Sequence, residues 1–97
     1  MIEKREELIE LYDLYCSLLT DKQKNYFEEY YFLDLSISEI AINHEISRNG
    51  VFDQIKRVSI LLMDYEEKLK LKSKIDQIAQ LQIKDEIKEE VINILKE

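Results

Sequence analysis

The chain has 97 residues, 45% apolar and 36% charged, with a formal net charge of -7. That length fits one small domain over residues 1–97, and the apolar fraction is that of a globular rather than a disordered chain. The absence of proline and a single glycine, Gly50, exclude sandwiches and barrels that need regular turns. The abundance of Leu, Ile, Glu and Lys makes the fold class all-α.

Composition also narrows function. No run approaches the roughly 18 apolar residues of a membrane span, and the polar start Met1-Ile2-Glu3-Lys4-Arg5 lacks a signal-peptide core. Cys16 has no second cysteine to pair with. Among Tyr12, Tyr15 and Leu19 it reads as a small buried hydrophobe. These features predict a cytoplasmic protein with no membrane partner. One His and one Cys do not make a zinc site, and neither glycine-rich nucleotide fingerprint is present. With no catalytic constellation the chain reads as a non-enzyme, with no cofactor and no metal.

In chain order, Leu8, Leu11, Tyr12, Tyr15, Leu18 and Leu19 recur at helical spacing and predict a first helix over residues 3 to 19. Thr20-Asp21-Lys22-Gln23 is a capping box that starts a second helix carrying Tyr26, Phe27, Tyr30 and Tyr31. The aromatic residues lie mostly before residue 33, where nine acids face four bases through Leu35. They read as core, because a platform for stacked RNA bases needs cations around it.

Ser36 with Glu39 forms another capping box, and Leu35 with Ile40 the accompanying staple. A short helix from Ile37 to about His44 presents Ile40 and Ala41 inward, with His44 a helix-end residue. Ser47 then caps a further helix, Ile46 stapling to Val51. Two capped starts eleven residues apart leave room for a short helix, a sharp turn and a new helix, a helix-turn-helix over residues 36–57. Glu45 occupies the turn position where glycine commonly supplies a left-handed backbone. Gly50 inside the second helix implies close packing or the approach of a partner backbone.

The second helix is long. Val51, Ile55, Val58, Leu62, Tyr65 and Leu69 form one apolar stripe, widened by Leu61 and Met63 toward a second neighbour. Lys68, Lys70, Lys72 and Lys74 follow as a basic turn, suited to phosphates or to the negative end of a helix dipole. Ser73 with Asp76 predicts the cap of a final amphipathic helix within residues 74–97, ending at about Lys96. Its seam of Ile75, Ile78, Ala79, Ile83, Ile87, Val91, Ile94 and Leu95 must fold back or meet a second copy. The spacing leaves open whether this helix continues the preceding one.

With Val51 and Ile55 inward, the reading face carries Arg48, Asn49, Phe52, Asp53, Lys56 and Arg57, with Ser47 at its positive end. Arg48 suits guanine or phosphate, Asn49 adenine, and Lys56 phosphate. Asp53 and Phe52 suit a polyanion poorly. Residues 36–57 are neutral, while the flanks carry -5 before Ser36 and -2 after Arg57. Readers of DNA concentrate basic charge where phosphates pass, and here the cationic patch is thin.

The strings "LLTDKQKNYFEEYY" and "DLSISEIAINHEISRNGVFDQIKRVSILLMDYEEKL" resemble the YlxM family, small helix-turn-helix proteins associated with the bacterial signal recognition particle pathway. The likeness runs from Leu18 to Leu69; "LTDKQ" and "DYEEKL" are its most specific parts. It implies a bundle similar to sigma factor region 4, winged-helix-free, with an added C-terminal helix. It also implies a regulatory role linked to particle RNA, the particle's GTPase or its receptor.

Three functions follow as expectations. The first is an accessory protein of that pathway, using the helix-turn-helix surface and the basic turn on particle RNA or a particle protein. The second is a dimeric transcription regulator on duplex DNA. The third is a protein-interaction module, adhesive through Phe52 and through Ile83, Ile87, Val91, Ile94 and Leu95, which favours a homodimer.

Overall fold

A computed structural model describes residues 4–97 and is all-helical among them. Its elements are α1 (Arg5–Tyr15), a 3₁₀ turn (Cys16–Leu18), α2 (Asp21–Tyr31), α3 (Ile37–His44), α4 (Arg48–Leu69), α5 (Leu71–Ala79) and α6 (Asp85–Lys96). The capping boxes act as sequence spacing requires. Thr20 Oγ1 accepts from the Gln23 N–H at 3.2 Å while Gln23 Oε1 accepts from the Thr20 N–H at 2.9 Å. Ser36 and Glu39 repeat that reciprocity at 3.1 and 3.0 Å. The Ser36 N–H also holds the Glu39 carboxyl below the usual range.

The first helix is shorter than its periodicity suggests, and its expected start at residue 3 lies outside the described residues. After Tyr15 the chain tightens into the 3₁₀ turn and Leu19 becomes extended, with φ -92° and ψ 152°. This turns Leu19 into the core and leaves Leu18, expected on the apolar face, exposed.

α1, α2 and α3 all pack on α4. Val51, Ile55, Val58 and Leu62 are fully enclosed, together with Leu8, Leu11, Tyr12, Tyr15, Leu19, Tyr26, Phe27, Tyr31, Ile40 and Ala41. The aromatic residues are therefore chiefly core. Tyr12 stacks on Phe27 with centroids 4.4 Å apart and planes 2° from parallel, and Phe32 meets both edge-on. Leu61 packs against this core, but Met63 and Leu69, expected on the same face, are exposed.

Three corners use left-handed residues with side chains: Asp34, Glu45 and Lys70, at φ 54°, 55° and 55°. Lys70 separates α4 from α5, so the two helices are not continuous. The corner is closed by Glu66 in the last turn of α4 and by Tyr15 from α1. Tyr15 Oη donates to Glu66 Oε1 at 2.7 Å and accepts from the Leu71 N–H at 3.0 Å. Glu66 takes the Lys72 and Ser73 N–H groups at 3.0 and 3.1 Å. The expected Ser73–Asp76 cap does not form, because Glu66 already occupies that helix start.

A single final helix within residues 74–97 is likewise corrected. The chain breaks over residues 80–84, and α6 returns onto α5. One straight helix would leave its whole apolar seam in water. Breaking it lets α6 pack on α5 through Lys88, Ile92 and Leu95, and Lys88 Nζ caps the Ala79 carbonyl at 3.0 Å. The hairpin extends the molecule to 51 × 24 × 24 Å.

Replacing Glu66 with Ala removes a charge-assisted cap worth about 2–3 kcal/mol. The expected result is faster hydrogen exchange across α5 and α6 with α1 to α4 still protected. Uniform loss of protection would contradict a local role. Burial raises the Tyr12, Tyr15 and Tyr31 hydroxyls above their ordinary 10.0, with Glu28 and Glu66 adding to the first two. The unfolded chain then loses these protons first, so their stabilisation is complete below pH 10 and declines above it. One proton of difference sets an upper limit of about 1.4 kcal/mol per pH unit on the slope from each. Urea midpoints measured from pH 9 to 11 should fall steeply, and less steeply for Tyr12→Phe.

Candidate nucleic-acid interface

The turn between α3 and α4 is made from backbone geometry that the local sequence tolerates rather than prefers. Glu45 adopts φ 55° and ψ 41°, and the Ile46 N–H reaches back to the Ala41 carbonyl at 3.1 Å. A non-glycine residue there carries a strain of about 1–2 kcal/mol. Ser47 then takes the same extended conformation as Ser36, with φ -71° and ψ 158° in both, and Ser47 Oγ accepts from the Gly50 N–H at 3.0 Å.

α4 differs from its neighbours at that point. In α2 and α3 the third residue returns a side chain to the cap. At α4 that residue is Gly50, and the first turn holds no acid. Beyond the single Ser47 cap, its positive end has no reciprocal side chain and no acid over it. A Cβ at Gly50 would lie 3.2 Å from Ser47 Oγ and 3.4 Å from Ile46 Cδ1. Close packing within the turn is thus one reason for the glycine.

Val51 and Ile55 point into the core while Ser47, Arg48, Asn49, Phe52, Asp53, Lys56 and Arg57 are exposed, as helical spacing requires. Arg48 Nη1 donates to Ser38 Oγ over a long 3.4 Å. A shallow depression of about 350 Å³ is lined by Ser36, Ile37, Ser38, Arg48, Asn49 and Phe52, so the starts of α3 and α4 share one surface. Among the described residues, no ion pair engages Arg48, Lys56 or Arg57.

The basic turn is less available than its four lysines suggest. Lys68 pairs with Asp64 at 2.9 Å, and Lys72 with Asp76 at 3.0 Å and Glu10 at 3.4 Å. The partner acids hold both ammonium groups above the ordinary lysine value. His44 ends α3 with Nε2 2.6 Å from Glu29 Oε2 and its ring against Tyr26. No group of His, Cys, Asp and Glu among the described residues could hold a metal. Cys16 is half-buried against the core.

The tail residues do not act together. Leu95 is half-buried, but Ile83, Ile87, Val91 and Ile94 are exposed. The packed side of α6 is formed instead by Lys88, Ile92 and Leu95, spaced i, i+4 and i+7. Sequence reasoning also missed Ser38 beside Arg48, and Ile60 and Met63 on the open side of α4. Spacing from Phe52 (i+8 and i+11) contained the signal for the latter two.

Comparison with known proteins places this geometry. The family described as "Putative helix-turn-helix protein, YlxM / p13 like" matches residues 2–97. The chain belongs to this family. A UPF0122 protein of Anoxybacillus flavithermus is 51% identical over 77 residues, 79% of this chain and 70% of that protein. One from Streptococcus suis is 49% identical over 86 residues, 89% and 74% of the two chains. One from Streptococcus gordonii is 48% identical over 88 residues, 91% and 78% of the two chains. No helix among the described residues is long and apolar enough to cross a membrane.

Within this YlxM-like turn, Glu45→Gly should relieve the left-handed strain while loosening the unfolded chain. The net expectation is a gain of about 0.5–1 kcal/mol, read as a thermal midpoint several degrees higher. A lower midpoint would mean that the Glu45 side chain contributes more than its backbone costs.

Proposed function

We propose that the protein is a non-enzymatic regulatory component of the signal recognition particle pathway, and that the start of α4 engages the phosphates of particle RNA. One observation carries the reading. α4 begins with a lone Ser47 cap, no reciprocal capping side chain and no acid in its first turn, while Arg48, Lys56 and Arg57 stand exposed and without ion pairs among the described residues. Helix starts of this kind attract anions, and three cations add to that attraction. The pathway itself rests on the resemblance of "LTDKQ" and "DYEEKL" to the YlxM family.

The same surface limits the strength of the contact. Asp53 lies among the cations, and the rest of the chain is acidic. An A-form duplex does not admit a helix to its deep groove, so contact falls on phosphates or on an opened loop. Modest affinity with a shallow salt dependence is expected, of slope about -2 to -3 for three phosphate contacts.

A second reading, duplex DNA bound by a regulator, is favoured by Arg48 and Asn49 together. Both are exposed at the first turn, and these residue types read guanine and adenine. Binding of reconstituted particle RNA, its GTPase and a random duplex pool across a salt series separates the two. Arg48→Ala should weaken RNA binding and reduce the salt slope by about 1. Enrichment of one duplex sequence favours the regulator, and retention of neither RNA nor GTPase at low salt overturns the pathway reading.

A further inference from the structure

The depression of about 350 Å³ between the starts of α3 and α4 brings three chemistries together. Phe52, 42% exposed, and Ile37, half-buried against the core, supply apolar surface. Asn49 offers an amide with both donor and acceptor atoms. Arg48 adds a cation, and Ser36 and Ser38 add hydroxyls. None of these six lining residues is acidic, although the chain carries 21 acids. Of the acids adjacent in sequence, Glu39 accepts from the Ser36 N–H at 3.0 Å, and Asp53 lies outside the lining.

Phosphate contact alone leaves Phe52 unexplained, because a phosphate gains nothing from a large apolar ring. A ring flanked by an amide and a guanidinium suits a nucleobase, which needs a face to stack on and partners for its edge. Inside an A-form helix both faces of a base are covered by neighbours and its pairing edge is in use. Only an unpaired base presents face and edge together.

We propose that the depression receives one unpaired purine from an RNA loop or bulge, stacked on Phe52 with its edge read by Asn49. Arg48 holds the adjoining phosphate. It contacts Ser38 Oγ over a long 3.4 Å and joins no ion pair among the described residues, so turning toward a phosphate breaks little. The Asn49 amide matches the donor and acceptor edge of adenine, which makes adenine the preferred base. The site rests on the RNA contact proposed above and adds to it the choice of nucleotide.

The test measures affinity of the full chain for three short RNA hairpins sharing one stem: fully paired, with a bulged adenosine, and with a bulged uridine. The wild type should bind the adenosine bulge about tenfold more tightly than the paired stem. The uridine bulge should bind severalfold more weakly than the adenosine bulge. Phe52→Ala and Phe52→Leu should lose most of the advantage, while Phe52→Trp keeps it. Phe52 is exposed, so all three variants should retain wild-type helicity. Stacking releases no counterions, so Phe52→Ala should lower affinity equally at every salt concentration, whereas Arg48→Ala reduces the slope. Asn49→Ala should erase the preference for adenosine over uridine.

Equal binding of paired and bulged hairpins overturns the base site and leaves phosphate contact standing. So does a bulge preference that survives Phe52→Leu, because a side chain of similar bulk without a stacking face would then suffice. Binding of no hairpin at low salt overturns both. Phe52-dependent binding of the adenosine bulge, with particle RNA not retained, supports the base site and overturns only the pathway.

Discussion

Helix α4 must satisfy two environments at once, and the rest of the molecule follows from that constraint. One side buries Val51, Ile55, Val58 and Leu62 against α1, α2 and α3. Each enclosed side chain contributes roughly 1.5–3 kcal/mol of apolar burial. Because these residues recur every three to four positions, they fix the rotation of α4 about its axis. Arg48, Asn49, Phe52, Lys56 and Arg57 have no choice but to face outward. The candidate face is thus a by-product of the core, which includes aromatic packing such as Tyr12 on Phe27.

The electrostatics of that face are set locally rather than by net charge. Acidic residues elsewhere either close helix starts, as Glu39 does for α3, or cap the α5 corner, as Glu66 does. Others neutralise Lys68 and Lys72. The start of α4 is exempt because Gly50 offers no side chain to return to the cap. A chain of net charge -7 thereby retains a small region where a sparsely capped helix start and exposed cations lie together.

Much of the fold was legible from spacing. Capping boxes announce themselves in four residues, and the stripes of α1 and α4 identify their inward sides. The candidate face was legible for the same reason, since Val51 and Ile55 define its opposite. Less legible were features that depend on residues distant in the chain. Tyr15 and Glu66 meet across 51 positions to build the α5 corner, and no local pattern reports that. Ser73 looked like a cap and was not one, because Glu66 had already taken its N–H. Ile60 and Met63 stayed open because no element arrived to cover them.

The sequence by itself determined that the chain is helical, where α2, α3 and α4 begin, and which side of α4 is apolar. Those are short-range properties of hydrogen bonding and periodicity. Only the tertiary structure decided how the long apolar seam near the C-terminus would be used. Burial of part of that seam required a break at residues 80–84 and rotation of α6 onto α5. That rotation buried Ile92 and Leu95 in part and left Ile87, Val91 and Ile94 facing water. One helix has two adjacent apolar stripes, and a single neighbour covers only one of them.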